Sequence, residues 1–521
     1  MKKFFLFPMI LFLPLLACNK TTETDGGAGG GIEGVVSITD FGASVDANNN
    51  AKAIQKAIDQ CEKVGGGIVT VPPGTFFTGT VYLKDNVHLW LHPEATLKGV
   101  PDPAVFKDGG MIVGNKIKKA SITGGGTLDG HGNHANFQFG NNAGPRGNVL
   151  RLIDCNDILI KDVSLVNSQS WTFRMYYCDG VRVHNVKVRS LHNWNNDGID
   201  IGSRNVVISD CIIDADDDAL CFKSEKKDFT VENVTVTNCI IGSNCNAIKF
   251  GTASYGGFRN ISISNCVVRK AAESNIQDWP SRITGLSSDP TVISGIALEV
   301  VDGGFMDRIV INNIAMQDVQ TPLFIRLGSR DGAGTLKNVI ISGITARNES
   351  LITSSITGIP GHSVENVTIR DVFFDYVGGG TESNAAMVVG EKENAYPENR
   401  MFGNVLPAYG LYVRHVKGLT MENIQFVVRR SDARPAFIFD DVQNVLLNNF
   451  QATAPTNNAA IVRLVQSSDF VISGFRSQQN VPLFLRAEGA NCKNIDIRSN
   501  DFSKVQTKTS LNGVSESEIK Q

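Results

Sequence analysis

The chain has 521 residues, 42% of them hydrophobic and 19% charged, and 49 Lys and Arg against 52 Asp and Glu leave a formal charge of −3. A length of that order suggests about three or four ordinary domains, unless the chain repeats and one core is extended lengthwise. No basic run or basic–aromatic patch interrupts it, so nucleic acid is excluded as the expected partner.

Lys2 and Lys3 precede an apolar run over residues 4–16 that ends in Leu15-Leu16-Ala17-Cys18. This is a processing signal and lies outside the fold. It resembles the bacterial lipoprotein signal, which implies cleavage before Cys18 and lipidation of that residue. Residues 1–17 are then the signal peptide, and residues 18–34, polar and Gly-rich, a flexible tether. No later apolar run is long enough to span a bilayer. The expected location is the periplasm or outer-membrane surface of a Gram-negative bacterium, with the lipid as the only membrane contact. The catalytic domain is expected over residues 35–510, as a monomer.

Near its start, the segment Ala51–Lys63 reads as a helix with Ile54, Ala57, Ile58 and Cys61 on one face and Asn50 as its cap. It is followed by a turn, strand and turn over residues 65–75, an apolar alternation over 89–97, and ITGGGTLDGHG over 122–132. His131 belongs to that early Gly-His-Gly, well before the acidic stretch described below.

From residue 156 onward one phrase recurs: polar, Val, any, Ile, any, Asn or Asp, any, apolar. It reads NDILIKDVSL at 156–165, RNVVISDCII at 204–213, ENVTVTNCII at 232–241, KNVIISGITA at 337–346 and KNIDIRSNDF at 493–502. Steps are mostly 23 to 30 residues, and two longer ones, into residues 309 and 419, predict an inserted loop or a missed repeat. Period-two alternation with β-branched residues argues strand and rules against helical solenoids. Hairpin turns every 8–12 residues, the mark of an antiparallel sandwich, are missing. The prediction is all-β: a right-handed, single-stranded parallel β-helix with the short helix covering its first edge. Cys211, Cys239 and Cys266 fall at equivalent places in three repeats and read as an interior ladder. Cys155 with Cys178, and Cys221 with Cys245, lie about one repeat apart, and the sequence leaves open whether either pair bridges. No cysteine or histidine spacing supports a zinc site, and no metal or cofactor is expected.

The acidic stretch runs over residues 195–224, NNDGIDIGSRNVVISDCIIDADDDALCFKS, with Asp197 and Asp200 at one end and Asp216, Asp217 and Asp218 at the other. One coil apart, such residues stand on neighbouring strands roughly 4.8 Å apart. Crowded carboxylates suit acid–base catalysis, because like charges raise the pKa of one member and leave a proton donor beside a charged base.

The order FGA, capping helix, VxVPPGT, GGGTLDGHG, NxDGxD and DDDA followed by Lys223-Ser224 resembles glycoside hydrolase family 28, the polygalacturonase-like right-handed β-helix enzymes. The resemblance covers roughly residues 36 to 350 by motif, and the repeats carry it to about 500. That family's Asn-Thr-Asp matches Asn195-Asn196-Asp197, with Asn in place of Thr, and its Asp-Asp doublet matches Asp217 and Asp218. The implied roles are Asp217 as general acid and Asp197 and Asp218 as activators of water, in an inverting hydrolysis of pectic or related acidic polysaccharide. Inversion leaves room for water, with acid and base roughly 6.5–9.5 Å apart. Asp200 and Asp216 are expected to support the bend.

The departures from the family pattern shape the substrate expectation. Asn246 stands where the pattern has the His of a second Gly-His-Gly, and Ala297-Leu298-Glu299 stands in place of Arg-x-Lys. An acid there would repel an anionic sugar, which argues against a plain polygalacturonase and fits a rhamnogalacturonan-type or exo-acting member. Expected substrate contacts are Asn195, Lys223, Asn246, Lys249, Glu299 and Arg326, with Asp302 and Arg330 close by and Trp194 or Trp279 as stacking platforms. Lys223 and Lys249 bind a substrate carboxylate on one reading and pair with the aspartates on the other. Two further readings stay open: a calcium-dependent polysaccharide lyase, and a non-catalytic glycan-binding β-helix.

Overall fold

The computed structural model describes residues 34–137, 145–272 and 292–521. The expected lipidation site Cys18, the expected signal peptide, almost all of the expected tether and Trp279 lie outside the described residues. Among those described, every strand pairing is parallel.

The recurring phrase explains why the chain coils. Its first apolar position forms an unbroken interior file in which Ile158, Val181, Val206, Val234, Ile261, Ile309, Val339, Val367, Leu419, Val445, Phe470 and Ile495 are successive register partners. All are at most 3% exposed. Burying each such side chain contributes about 1.5–3 kcal/mol. The residue just before that position turns the corner with left-handed backbone. Asn205, Asn233, Asn260, Asn338 and Asn366 have φ between +53° and +58°, a region that Asn and Gly tolerate and β-branched residues do not. The same asparagines hydrogen-bond from coil to coil, Asn233 donating to Asn205 and Asn260 to Asn233, both at 3.1 Å. The repeat therefore encodes the strand and the corner together.

Chain reversal between parallel strands of one sheet is right-handed by strand twist, and the molecule is a right-handed parallel β-helix. The helix Ala51–Lys63 lies over its first edge, with Ile54, Ala57, Ile58 and Cys61 buried as expected. Asn50 is at its N-cap as expected but makes no side-chain capping bond. Its side chain bridges inward, accepting from Ser44 N and donating to Phe77 O, while Asn49 Oδ1 accepts from Ala51 N at 2.9 Å. The coil continues past the expected boundary at residue 510, because Ile519–Lys520 pairs with Lys493–Asp496.

Both long steps are insertions. Ile261 pairs directly with Ile309, and Val367 with Leu419, so no repeat of that strand is missing. The second insertion, residues 377–410, builds a small apolar core of its own from Ile352, Val389, Leu406, Ala408, Tyr412 and Ile438. The nine cysteines among the described residues are free and buried, so neither open pair is bridged in this structure. Cys155 and Cys178 lie side by side, with Cys155 N donating to Cys178 Sγ at 3.4 Å.

Candidate active site

Strand register builds the site. Ile199, Leu220, Ile248 and Ile296 are partners on four successive coils. Two residues before each stand Asp197, Asp218, Asn246 and Ser294, in one file. Asp217 precedes Asp218 at the corner. The turn presenting Asp197 is locked by Asn196, which accepts from His192 N and Asn193 N and donates to the Ser168 and Ser170 carbonyls. Ser243 Oγ fixes the other corner by donating to Asp217 O at 2.7 Å.

Exposure divides the acids. Asp197 and Asp218 are 3% and 5% exposed, while Asp217 is partly exposed. Of the three, Asp217 alone meets solvent, and the other two are buried. Lys223 Nζ contacts Asp197 Oδ2 at 2.7 Å and Asp200 Oδ1 at 2.9 Å. Lys249 Nζ contacts Asp218 Oδ2 at 3.2 Å. Asn246 donates from Nδ2 to Asp218 Oδ1 at 2.8 Å. Of the two readings of the lysines, pairing with the aspartates is the one the geometry displays.

Burial pushes the Asp217 carboxyl up to about 6, and the neighbouring Asp218 charge adds to the rise. Burial acts on Asp218 in the same direction but is outweighed, because Lys249, Lys223 and the Asn246 amide hold it below the usual carboxylate range. Asp197 and Asp200 are both pushed up by burial and pulled back by Lys223. Lys223 is in turn kept charged, its desolvation outweighed by those two acids. One ammonium cannot fully serve two carboxylates. Asp197 has the shorter contact and the hydrogen bond, and the fully buried Asp200 shares the same ammonium. Ligand atoms of Asp197, Asp218 and Cys221, and of Asp217, Asp218 and Cys245, cluster within 4.8 Å, the places where a cation would sit. There the two lysines already supply positive charge. The Asp217–Asp218 approach is closer than the separation expected of an acid and base with water between them.

The remaining sequence-based expectations divide. Asn195 is at the site's edge, but its Oδ1 accepts from Arg146 at 3.0 Å. Glu299 is 1% exposed, its Oε2 has no hydrogen-bond partner, and burial pushes it up to about 8. It is thus neutral below that pH, and the expected charge repulsion is not the operating effect. Arg326 is a correction. It is 1% exposed, and its guanidinium donates to Thr357 and to the carbonyls of Gly358, Glu391 and Lys392, pinning the 377–410 insertion away from any groove. Asp302 and Arg330 are also corrected, since they close on each other through two hydrogen bonds of 2.9 and 2.8 Å. Asp216 supports its bend as expected, accepting from Asn244 at 2.7 Å. The Trp194 carbonyl accepts from Arg146. His131 sits on an earlier coil, bonded to Gly99 O.

Sequence reading missed three residues here. Trp171 lies under Lys223, 5.2 Å from ring centroid to Nζ. Arg174 is the register partner of Asp200, a relation the repeat period would have disclosed. Tyr396, 5.7 Å from Lys249, comes from the non-repeating insertion, where no periodic signal exists.

Fold and site together define the class: a parallel β-helix with a buried lysine–carboxylate centre beside one partly exposed aspartate. Within that class the assignment is specific: the model of Glycosyl hydrolases family 28 matches residues 61–393, and the chain belongs to that family. It is 31% identical over 213 residues to Rhamnogalacturonase A of Emericella nidulans, a match covering 38% of each chain. It is 30% identical over 215 residues to a probable polygalacturonase of Vitis vinifera, covering 36% of this chain and 44% of that one. The matches thus span about two fifths of these relatives' lengths. The solved exopolygalacturonase from Thermotoga maritima has the same fold, with a TM-score of 0.58 at 19% identity over 76% of this chain and 92% of that one.

Proposed function

We propose that the protein is an inverting glycoside hydrolase acting on pectic or related acidic polysaccharide. The observation that carries this is the pair Asp217 and Asp218, adjacent in the chain and pushed in opposite directions, one up to about 6 and the other below the carboxylate range. Asp217, the one acid of the three that reaches solvent, donates its proton to the leaving oxygen. Asp197, with Asp218, takes the proton of the attacking water. Lys249 holds Asp218 charged and Lys223 opposes the effect of burial on Asp197, in a dry site where each charge acts more strongly. The resemblance of residues 15–18 to a lipoprotein signal supports anchoring through Cys18 at a bacterial envelope.

Wild type and Asp217→Asn are to be assayed on pectic oligosaccharides, following product anomers by NMR. The expected outcome is initial release of the inverted anomer and a loss of roughly 10²–10⁴-fold in the variant. Unsaturated, ultraviolet-absorbing ends would identify a lyase, and retained configuration would remove the assignment of water activation to Asp197 and Asp218.

A further inference from the structure

Beside the acids, toward the N-terminus, the outward face of the sheet carries a second group of charges. Arg151, Arg174 and Asp200 are register partners on three successive coils. Two guanidinium groups are thus stacked one strand apart, beside the catalytic centre. Like charges at that spacing repel, and an anion between them relieves the repulsion. Burial, with Arg174 next in effect, pulls Arg151 below its ordinary value.

Aromatic rings and missing side chains fix the pair in place. The Arg174 guanidinium carbon lies 3.9 Å from the Tyr176 ring centroid and 4.8 Å from that of Trp171, so its plane is held by stacking. Gly109, at φ +66°, has no Cβ, and one placed there would lie 2.2 Å from Arg151 Nη1. Gly202 makes the same allowance for the Tyr176 ring. The donors are only partly used. Arg174 gives Nη2 to both oxygens of Glu225 at 3.1 Å, Arg151 gives Nη1 to Asp108 O at 2.7 Å, and the Nε of each is buried without a hydrogen-bond partner.

On the other side of the acids, the corresponding positions after Lys249 are Ala297 and Phe324. Arg326 and Arg330 are tied up there, as described above. Along this register file the arginines lie on one side of Lys249: Arg151 and Arg174 precede it, and Ala297 and Phe324 follow.

We propose that Arg174 and Arg151, with Trp171 beside them, form a carboxylate-binding subsite that holds a uronate ring on the N-terminal side of Asp197. This rests on the glycoside-hydrolase reading and refines it: the substrate carries an acidic sugar on that side of the scissile bond. Glu225 occupies part of the Arg174 fork in the free protein, and the substrate carboxylate competes with it.

The test uses the full chain carrying Asp217→Asn, titrated calorimetrically with trigalacturonate and with its methyl ester. Adding Arg174→Gln is expected to weaken trigalacturonate about tenfold, the scale of one charge-assisted hydrogen bond, and to leave the ester unchanged. Glu225→Gln is expected to tighten the free acid and not the ester. Equal losses on both ligands, no loss on either, or no binding of trigalacturonate by the Asp217→Asn chain overturns the subsite. Should Arg174→Gln fail to fold, Arg151→Gln reads the same difference. If wild type hydrolyses glycans while Arg174→Gln does not separate acid from ester, the subsite falls and the hydrolase stands. If it hydrolyses none while the acid-selective binding persists, the hydrolase falls and the subsite stands.

Discussion

Asn246 and Asp218 stand two residues before register-paired isoleucine and leucine on adjacent coils, and the Asn246 amide donates to Asp218 Oδ1 at 2.8 Å. That bond, with Lys249 on the other oxygen, keeps a buried carboxyl charged. Asn246→Ala removes the donor while Lys249 remains. We expect kcat to fall about tenfold or more, the worth of a hydrogen bond to a charged group, with KM nearly constant. Steady-state kinetics checks this, and an unchanged kcat would remove Asn246 from the positioning of Asp218.

The opposed acids set the pH profile. Asp217 must keep its proton, so activity should decline as pH rises through about 6. Asp218 loses its proton readily, its value being lowered, so the acid limb belongs to Asp197, which burial pushes up. A bell-shaped kcat/KM with its maximum on the acid side is expected. For stability the two act oppositely. The Asp218 contribution is present at neutral pH and lost as pH falls through its lowered folded value. Asp217, raised when folded, favours the folded state most at low pH, and that benefit fades as pH climbs to about 6.

Lys223 is the shared counter-charge of Asp197 and Asp200. Lys223→Met leaves two buried carboxyls with no ammonium, which should cost about 3 kcal/mol and abolish activity. Adding Asp200→Asn should recover part of the stability and none of the activity. Thermal unfolding of the single and double variants measures the coupling; simple additivity would deny the shared role.

At the corners, Asn233 has φ +56° and bonds in both directions along its ladder. Asn233→Ala should destabilise by about 1–2 kcal/mol through backbone strain, with further loss from the two bonds. Asn233→Gly loses the bonds and keeps the conformation, so its unfolding midpoint should fall between those of wild type and the alanine variant.

Asp432 and Arg434 are both fully buried, paired at 2.7 Å, and Arg434 also donates to the Leu351, Leu406 and Ala408 carbonyls. They hold the 377–410 insertion to the coil. Arg434→Ala should strand a buried charge, at about 3–5 kcal/mol, and expose that insertion to limited proteolysis before the coils themselves unfold.

How much of this was legible in the sequence follows from what repeats. The interior file and the Asn corners recur at fixed spacing, so coil, capping helix and the proximity of Asp197 to Asp217 and Asp218 were readable. Partner choice was not. Nothing in the spacing says that Lys223 takes two aspartates, or that Arg326 points at the carbonyls of residues 391 and 392. Those contacts join repeat to insertion, across sequence gaps of 65 and 66 residues, where no period constrains them. Burial was also invisible: Glu299 read as a charge, yet lies under the 377–410 insertion with its proton retained. Asn50 is at the N-cap, yet its side chain is spent on Ser44 and Phe77 and Asn49 takes the first helical amide, a division no spacing discloses.

The file of Asp197, Asp218 and Asn246 is kept in line by strand pairing, although the chain spends twenty-one residues on the first step and twenty-eight on the second. The surplus is absorbed outside the paired strands. The reacting groups are thus mechanically insulated from the length of the connections between them. A descendant of this chain can lengthen, shorten or exchange those connections, and so change what it grips, without disturbing the alignment of that file.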